Sequence, residues 1–125
     1  MNEAHLEAED LLKGHGGLSR NQSFTATYAE VVREVAAEFK EQNVVLVDLW
    51  KAMMDEASSS DTQYVPGSGL VGSKSLGDSE GFRILLVDGL HFTGAGYKVF
   101  FDAVLPHVGR EWADEPLNNP KWVFP

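Results

Sequence analysis

A short apolar run in the middle of the chain restricts the fold more than any other feature of the sequence. It covers residues 44–48 and reads VVLVD. Consecutive apolar residues rich in β-branched side chains are typical of a strand that a parallel sheet buries on both faces. Because helical patterns lie on either side of the run, it predicts an α/β layered fold. Residues 82–87 are the one further candidate, as a short strand or a buried loop, so the chain supplies almost no partner strands.

Four segments carry helical patterns, and they cover residues 3–12, 27–42, 49–57 and 93–108. The second segment has apolar residues at helical spacing and begins with a capping-box pair, Thr27 and Glu30. Asp48 and Thr93 stand where they can cap the third and fourth helices. Pro106 should kink or end the last helix. The order helix, strand, helix again indicates an α/β arrangement, rich in helices and with one or two parallel strands.

The remaining segments are a long loop and a tail. Half of residues 58–81 are Gly or Ser, and a loop of this length inside a compact domain is usually functional or mobile. Residues 111–125 combine two Trp with three Pro and are interpreted as an extended tail laid over the body. The length of 125 residues allows one domain, which we expect to cover residues 1–110.

The charge balance and the residue types present exclude several classes of function. The 10 basic and 19 acidic residues give a net charge of −9, which repels a phosphate backbone, so no nucleic-acid partner is expected. No apolar run approaches the roughly 18 residues of a membrane-spanning helix, and no secretion signal is visible. We therefore expect a cytoplasmic protein without a membrane partner. Cysteine is absent and the four histidines lack metal-ligand spacing, so no metal site is expected.

The residues best suited to chemistry are Asp88 and His91, three positions apart in a turn before the last helix. A carboxylate on one imidazole nitrogen fixes the tautomer and steadies the imidazolium, which leaves the other nitrogen free to take a proton from a hydroxyl nucleophile. The spacing alone leaves a structural alternative open, in which Asp88 caps a turn and His91 packs against its surroundings.

The string VDGLHFTGAGY at residues 87–97 closely resembles the last conserved block of the SGNH or GDSL hydrolases. Residues 1–110 are similar to the C-terminal half of the fungal and yeast-type isoamyl acetate-hydrolysing esterases. The resemblance implies the C-terminal part of a three-layer α/β/α, flavodoxin-like sandwich, with residues 44–48 as its last strand. Ligands of such folds bind at the carboxyl ends of the strands, where Asp88 and His91 would arrive on a loop.

The same resemblance implies the hydrolysis of small-molecule esters with short acyl chains. A serine would attack the ester, His91 would act as base and then as acid, and Asp88 would orient His91. Leu90 and Phe92 would form part of the wall of the substrate pocket. Neither a cofactor nor a metal would be needed.

The sequence departs from the family in its nucleophile. Family members carry the serine in an N-terminal Gly-Asp-Ser block, and we expect no such block, with a strand before it and a helix after it, in this sequence. The triplet at residues 77–79 does spell Gly-Asp-Ser, but it lies in the Gly/Ser loop shortly before His91, so we interpret Ser79 as a chance match. We expect this chain alone to have little or no esterase activity. The alternative is an inactive truncated fragment that acts as an interaction module and self-associates through the exposed edge of the 44–48 strand.

Overall fold

Helices account for most of the secondary structure of the chain. The computed structural model describes residues 1–15, 20–42 and 44–108. Within these residues the chain forms α1 (Glu3–Leu12), α2 (Gln22–Glu38), α3 (Leu49–Ser60), α4 (Glu80–Leu85) and α5 (Gly94–Val104). Single 3-10 turns lie at Lys40–Gln42 and Lys74–Leu76. The helix-rich character that the sequence indicated is confirmed.

Side-chain caps set where four of these helices begin. Asp48 accepts a hydrogen bond from the backbone at the start of α3, and Thr93 does the same for α5, as predicted. The predicted start of α2 near Thr27 is wrong. The side chain of Asn21 accepts hydrogen bonds from the backbone N–H groups of Ser23 and Phe24, so the helix already begins at Gln22. Ser79 caps α4 in the same way, so a helix does follow the Gly-Asp-Ser triplet, and the expectation that none follows it is wrong.

The hydrophobic core lies among α3, α4 and α5. Its buried members are Met53, Ala57, Val71, Phe82, Leu85 and Leu86. The close packing of α3 on α4 requires the absence of a side chain at Gly81, because a Cβ there would overlap the carbonyl of Ala57. Contacts of this kind hold the three helices at a fixed distance, and they form the most tightly packed part of the described structure.

The prediction of a strand or buried loop at residues 82–87 is wrong for its first part. The Ser79 cap starts a helix there, and the helical spacing of Phe82 and Leu85 buries both against the core. Apolar periodicity over so short a run does not distinguish a strand from a buried helix. Only the last residues turn extended, where Leu86 forms an isolated antiparallel bridge with Phe92.

Residues 44–48 form neither a helix nor a strand among the described residues. A strand requires a second segment whose backbone N–H and C=O groups pair with its own, and none of the described segments pairs in this way with residues 44–48. Val44 is 46% exposed and the next three residues are half-buried. The parallel strands of the predicted sandwich are therefore not formed by the part of the chain that the structure describes.

Helix α2 turns its apolar side outward. We call this side the exposed stripe, and its members are Phe24, Tyr28, Val31, Val32 and Val35. Two side chains of the helix form hydrogen bonds that tie it to α3. At its start, Gln22 donates to the sulfur of Met54 at 3.0 Å. Arg33 donates two hydrogen bonds to Asp48, at 2.6 and 3.2 Å, and its guanidinium lies 5.3 Å from the centre of the Trp50 ring. The hydrogen bonds from Arg33 hold the pKa of the Asp48 carboxyl below its usual range.

The remaining predictions concern the end of the last helix, the tail that follows it and the absence of a membrane-spanning helix. Helix α5 ends at Val104, shortly before Pro106, as expected. The predicted tail at residues 111–125, and with it the end of the 1–110 domain, lies outside the described residues. Among the helices that the structure describes, none combines the length and apolarity needed to cross a lipid bilayer.

Candidate active site

The candidate site is a tight turn at residues 87–92, between α4 and α5. The N–H of Val87 donates to the carbonyl of His91 at 2.8 Å, which closes the turn. Gly89 occupies its tip with φ +84°, a backbone conformation that side chains disfavour. The Leu86 and Phe92 bridge holds the two ends together. The turn is therefore fixed on both sides by backbone hydrogen bonds.

Asp88 and His91 meet inside this turn. One carboxylate oxygen of Asp88, Oδ1, accepts from the backbone N–H groups of Leu90 at 3.1 Å and His91 at 2.9 Å. The other, Oδ2, lies 2.7 Å from Nδ1 of the His91 ring. Because an ionised carboxylate only accepts hydrogen bonds, Nδ1 carries the proton of the neutral ring and Nε2 remains an acceptor. We refer to these two residues as the Asp–His pair.

The electrostatics of the turn keep Asp88 ionised. The backbone N–H of His91, helped by the His91 ring and the N–H of Leu90, holds the pKa of the Asp88 carboxyl well below its usual range. A carboxylate that stays charged near neutral pH can stabilise an imidazolium beside it. The pair can therefore hold a positive charge on His91 when its ring takes up a proton.

The two members of the pair differ in their access to solvent. The side chain of Asp88 is 24% exposed, whereas that of His91 is 74% exposed. An exposed ring with a free acceptor nitrogen can reach a hydroxyl group or a water molecule, while the acid behind it is shielded. This is the arrangement that general acid–base chemistry requires.

An apolar cleft of about 520 Å³ includes Leu90 and Phe92 of the turn in its wall, whereas Asp88 and His91 do not line it. Its other apolar lining side chains are Met1, Phe24, Tyr28, Leu49, Trp50, Met53 and Leu86. Phe92 is held edge-on by the ring of Tyr97, at a centroid distance of 5.5 Å. The residues on either side of His91 therefore face an apolar surface.

Ser79 lies away from the Asp–His pair, and its hydroxyl is hydrogen-bonded within the loop before α4. Its hydroxyl donates to Asp61 at 2.7 Å and accepts from the backbone N–H of Phe82 at 3.2 Å, and the residue is only 5% exposed. It borders a separate cavity of about 280 Å³ whose lining includes neither Asp88 nor His91. Both hydrogen-bonding capacities of the hydroxyl are thus used in holding the loop to the start of α4.

The supports of the turn were not predicted from the sequence. Asn2 donates its backbone N–H to the carbonyl of Gly89 at 2.9 Å, across a long distance in the chain. Gly96 brings the start of α5 against the carbonyl of Leu85, where a Cβ would overlap it. Gly89 and Gly96, two of the three glycines in residues 87–97, are a local signal of close approach, whereas nothing in the sequence indicates the contact of Asn2. No group of three or more metal-binding side chains occurs among the described residues.

Comparison with known proteins identifies the family. The model of the GDSL-like lipase/acylhydrolase family matches residues 18–104, which include α2 to α5 and the turn with the Asp–His pair. No curated protein and no solved structure matches the chain. The family match covers more than half of the sequence, and it contains the residues on which the sequence resemblance rested. The chain belongs to the GDSL-like lipase/acylhydrolase family.

Proposed function

We propose that the Asp–His pair is the acid–base half of a Ser-His-Asp triad that hydrolyses carboxylic esters with short acyl chains. The observation that carries this proposal is the 2.7 Å contact between Asp88 Oδ2 and His91 Nδ1, combined with the exposure of the ring. Membership of an acylhydrolase family supports the reaction class. The likeness to isoamyl acetate-hydrolysing esterases is the basis for proposing short acyl chains.

The proposed mechanism uses the free nitrogen of His91. Nε2 removes the proton of an attacking hydroxyl, whose oxygen forms a bond to the ester carbonyl carbon. Asp88 stabilises the resulting imidazolium, and His91 then returns the proton to the alkoxide, which leaves as the alcohol. Water repeats the sequence and releases the acid. Leu90 and Phe92 would contact the apolar part of the substrate as it lies along the cleft.

We further propose that Ser79 is not the attacking hydroxyl and that this chain by itself hydrolyses esters slowly. A serine that donates to Asp61 and caps α4 would have to break both contacts before it could react. Such a change would leave the buried backbone N–H of Phe82 without its hydrogen-bond acceptor.

The rate of p-nitrophenyl acetate hydrolysis by the purified chain tests the assignment. Slow hydrolysis above the buffer rate is expected, because an exposed imidazole with a carboxylate partner is a competent base. His91→Ala should remove most of this rate, since general bases contribute about 100-fold or more. Asp88→Asn should lower the rate without abolishing it.

The chain offers a matched control in a second histidine beside an acid. His15 Nδ1 lies 3.8 Å from Asp10, and the His15 side chain is 69% exposed. His15→Ala should retain the wild-type rate because its acid does not form a hydrogen bond of ordinary length. An unchanged rate in His91→Ala, or an equal loss in His15→Ala, would overturn the assignment of the pair.

A fluorophosphonate probe tests the proposal for Ser79. We expect the probe to leave Ser79 unlabelled and Ser79→Ala to keep the wild-type rate. Labelling of Ser79 together with loss of hydrolysis in Ser79→Ala would make it the nucleophile and contradict the proposal.

A second candidate function is self-association, favoured by the unpaired apolar segment at residues 44–48. Two copies of this segment can pair in antiparallel fashion and satisfy each other's backbone groups. The exposed stripe of α2 would then be partly covered in the dimer. The net charge of −9 opposes the contact, so added salt should strengthen it.

Sedimentation equilibrium with a matched pair of variants tests self-association. Val44 and Val65 are both exposed valines. Val44 lies in the segment at residues 44–48, and Val65 lies in the loop before α4. Val44→Lys should give a monomer and Val65→Lys should still dimerise, because a lysine on a strand edge blocks pairing. A wild-type chain that stays monomeric at all concentrations and salt levels would exclude this function.

A further inference from the structure

The turn that carries the Asp–His pair rests on the N-terminal end of the chain. The backbone N–H of Asn2 donates to the carbonyl of Gly89 at 2.9 Å. The approach is so close that a Cβ on Gly89 would lie 2.7 Å from both the carbonyl oxygen of Asn2 and the backbone nitrogen of Leu6. The tip of the turn is therefore pressed against the first turn of α1.

The side chain of Asn2 forms hydrogen bonds with the segment that leads into α4. Its Nδ2 donates to Asp78 Oδ1 at 2.7 Å and to the carbonyl of Ser79 at 3.2 Å, while its Oδ1 accepts from the backbone N–H of Ser79 at 3.4 Å. Asn2 is completely buried. The amide thus has partners for its donor and its acceptor, all in the segment that leads into α4.

These contacts place Asn2 between the segment before α4 and the turn after it. The carbonyl of Gly89 belongs to the peptide whose N–H is that of Leu90, and this N–H donates to Asp88. A movement of this peptide would redirect the N–H of Leu90, and with it the carboxylate that His91 contacts. The direction of the Asp88 carboxylate therefore depends on where Asn2 holds Gly89.

We propose that Asn2 is a positioning residue for the Asp–His pair. Its side chain fixes the backbone of residue 2 to the start of α4, and that backbone in turn fixes the tip of the turn. The proposal deepens the proposed function and rests on it for its catalytic meaning, whereas the positioning itself can be measured without any substrate. Asn2→Ala should leave the helices in place but release the turn.

The test is the NMR signal of the His91 Nδ1 proton in the whole chain. In the wild type we expect a resolved signal at low temperature, because the Asp88 carboxylate holds this proton. In Asn2→Ala we expect loss of the signal through exchange with water. Far-UV circular dichroism and thermal melting of the same samples establish that the helices are retained.

Gln22→Ala is the matched control for a general loss of stability. Gln22 is also a completely buried amide, and it donates to the carbonyl of Val71 at 3.1 Å and to the sulfur of Met54 at 3.0 Å. Its Oε1 accepts from the N-terminal amino group of Met1 at 3.4 Å. None of these three partners belongs to the turn, and none of them is Asn2. Gln22→Ala should lower the melting temperature and keep the His91 proton signal.

A second variant approaches the same contact from the turn. Gly89→Ala would push the tip away from α1 while every side-chain contact of Asn2 remains, and it should also abolish the signal. Retention of the His91 signal in both a folded Asn2→Ala and Gly89→Ala would overturn the positioning role. Equal loss in Gln22→Ala would overturn it too. An unchanged ester hydrolysis rate in His91→Ala would instead contradict the proposed function, and the proton signals would still report on the positioning.

Discussion

Similar apolar residues are buried in one part of the molecule and exposed to solvent in another. In the core among α3, α4 and α5, Phe82 is 1% exposed and packs against buried neighbours. On α2, Phe24 has the same side chain but is 68% exposed. Both residues lie on helices with a capped N-terminus. The difference is therefore one of tertiary packing and not of helix formation.

The comparison shows which part of the fold supports the candidate site. The turn with the Asp–His pair joins α4 to α5, and its further support comes from Asn2, so every hydrogen bond described for the pair lies outside α2. Helix α2 approaches the turn only across the apolar cleft, through Phe24 and Tyr28. The geometry of the pair should accordingly depend on the core and be insensitive to α2.

The largest effect is expected from truncating the two phenylalanines. Phe82→Ala should destabilise the chain by about 3–5 kcal/mol, because it leaves a cavity in a close-packed core. Phe24→Ala should change the stability by less than about 0.5 kcal/mol, since its ring is largely in contact with water. Urea denaturation of both variants, followed by circular dichroism, measures the difference.

A large loss in Phe24→Ala would show that the exposed stripe is covered in solution. Repeating the denaturation at several protein concentrations then tests whether a second copy covers the stripe, because a loss of stability that comes from a dimer contact disappears at low protein concentration. Equal losses at every concentration would contradict the division into a packed core and an exposed helix.

Sequence reasoning succeeded where the determining contacts are local. The caps at Asp48 and Thr93 depend on residues within one turn, so their spacing was sufficient to predict them. The closeness of Asp88 to His91 is also local, but its prediction needed the family resemblance, because the spacing alone left open that His91 packs separately. The strand at residues 44–48 depends on a distant partner, which apolar composition cannot supply. The contact of Asn2 with the turn is also nonlocal.

A smaller effect is expected from the charge of Asp88. Its pKa is lowered in the folded chain, so the folded state favours the ionised carboxylate more than the unfolded chain does. The stabilisation is complete above about pH 4, where an aspartate of the unfolded chain is ionised, and is lost as the pH falls towards the folded-state pKa. Asp88→Asn should cost about 1–2 kcal/mol at neutral pH and flatten the decline of stability in acid. Urea denaturation between neutral and acid pH measures both.

Asp102→Asn is the control for the decline of stability at acid pH. Asp102 is 54% exposed and pairs with Lys98 on the surface of α5, so its replacement should leave the pH dependence almost unchanged. If Asp88→Asn and the wild type decline in parallel with falling pH, the carboxylate of the turn is not held as the structure indicates.

The smallest effect is expected at Arg33, which ties the middle of α2 to the start of α3. Arg33→Gln would remove the two hydrogen bonds to Asp48 and the contact with Trp50, and amide hydrogen exchange should become faster along α2. Exchange in α4 and α5, and the His91 proton signal, should stay as in the wild type, because the core does not depend on this contact. Lys51→Gln removes an exposed ion pair with Asp55 within α3 and should alter neither helix. Faster exchange that spreads into α4 and α5 in Arg33→Gln would mean that the two regions unfold as one unit, and that the packed core does not hold the Asp–His pair independently of α2.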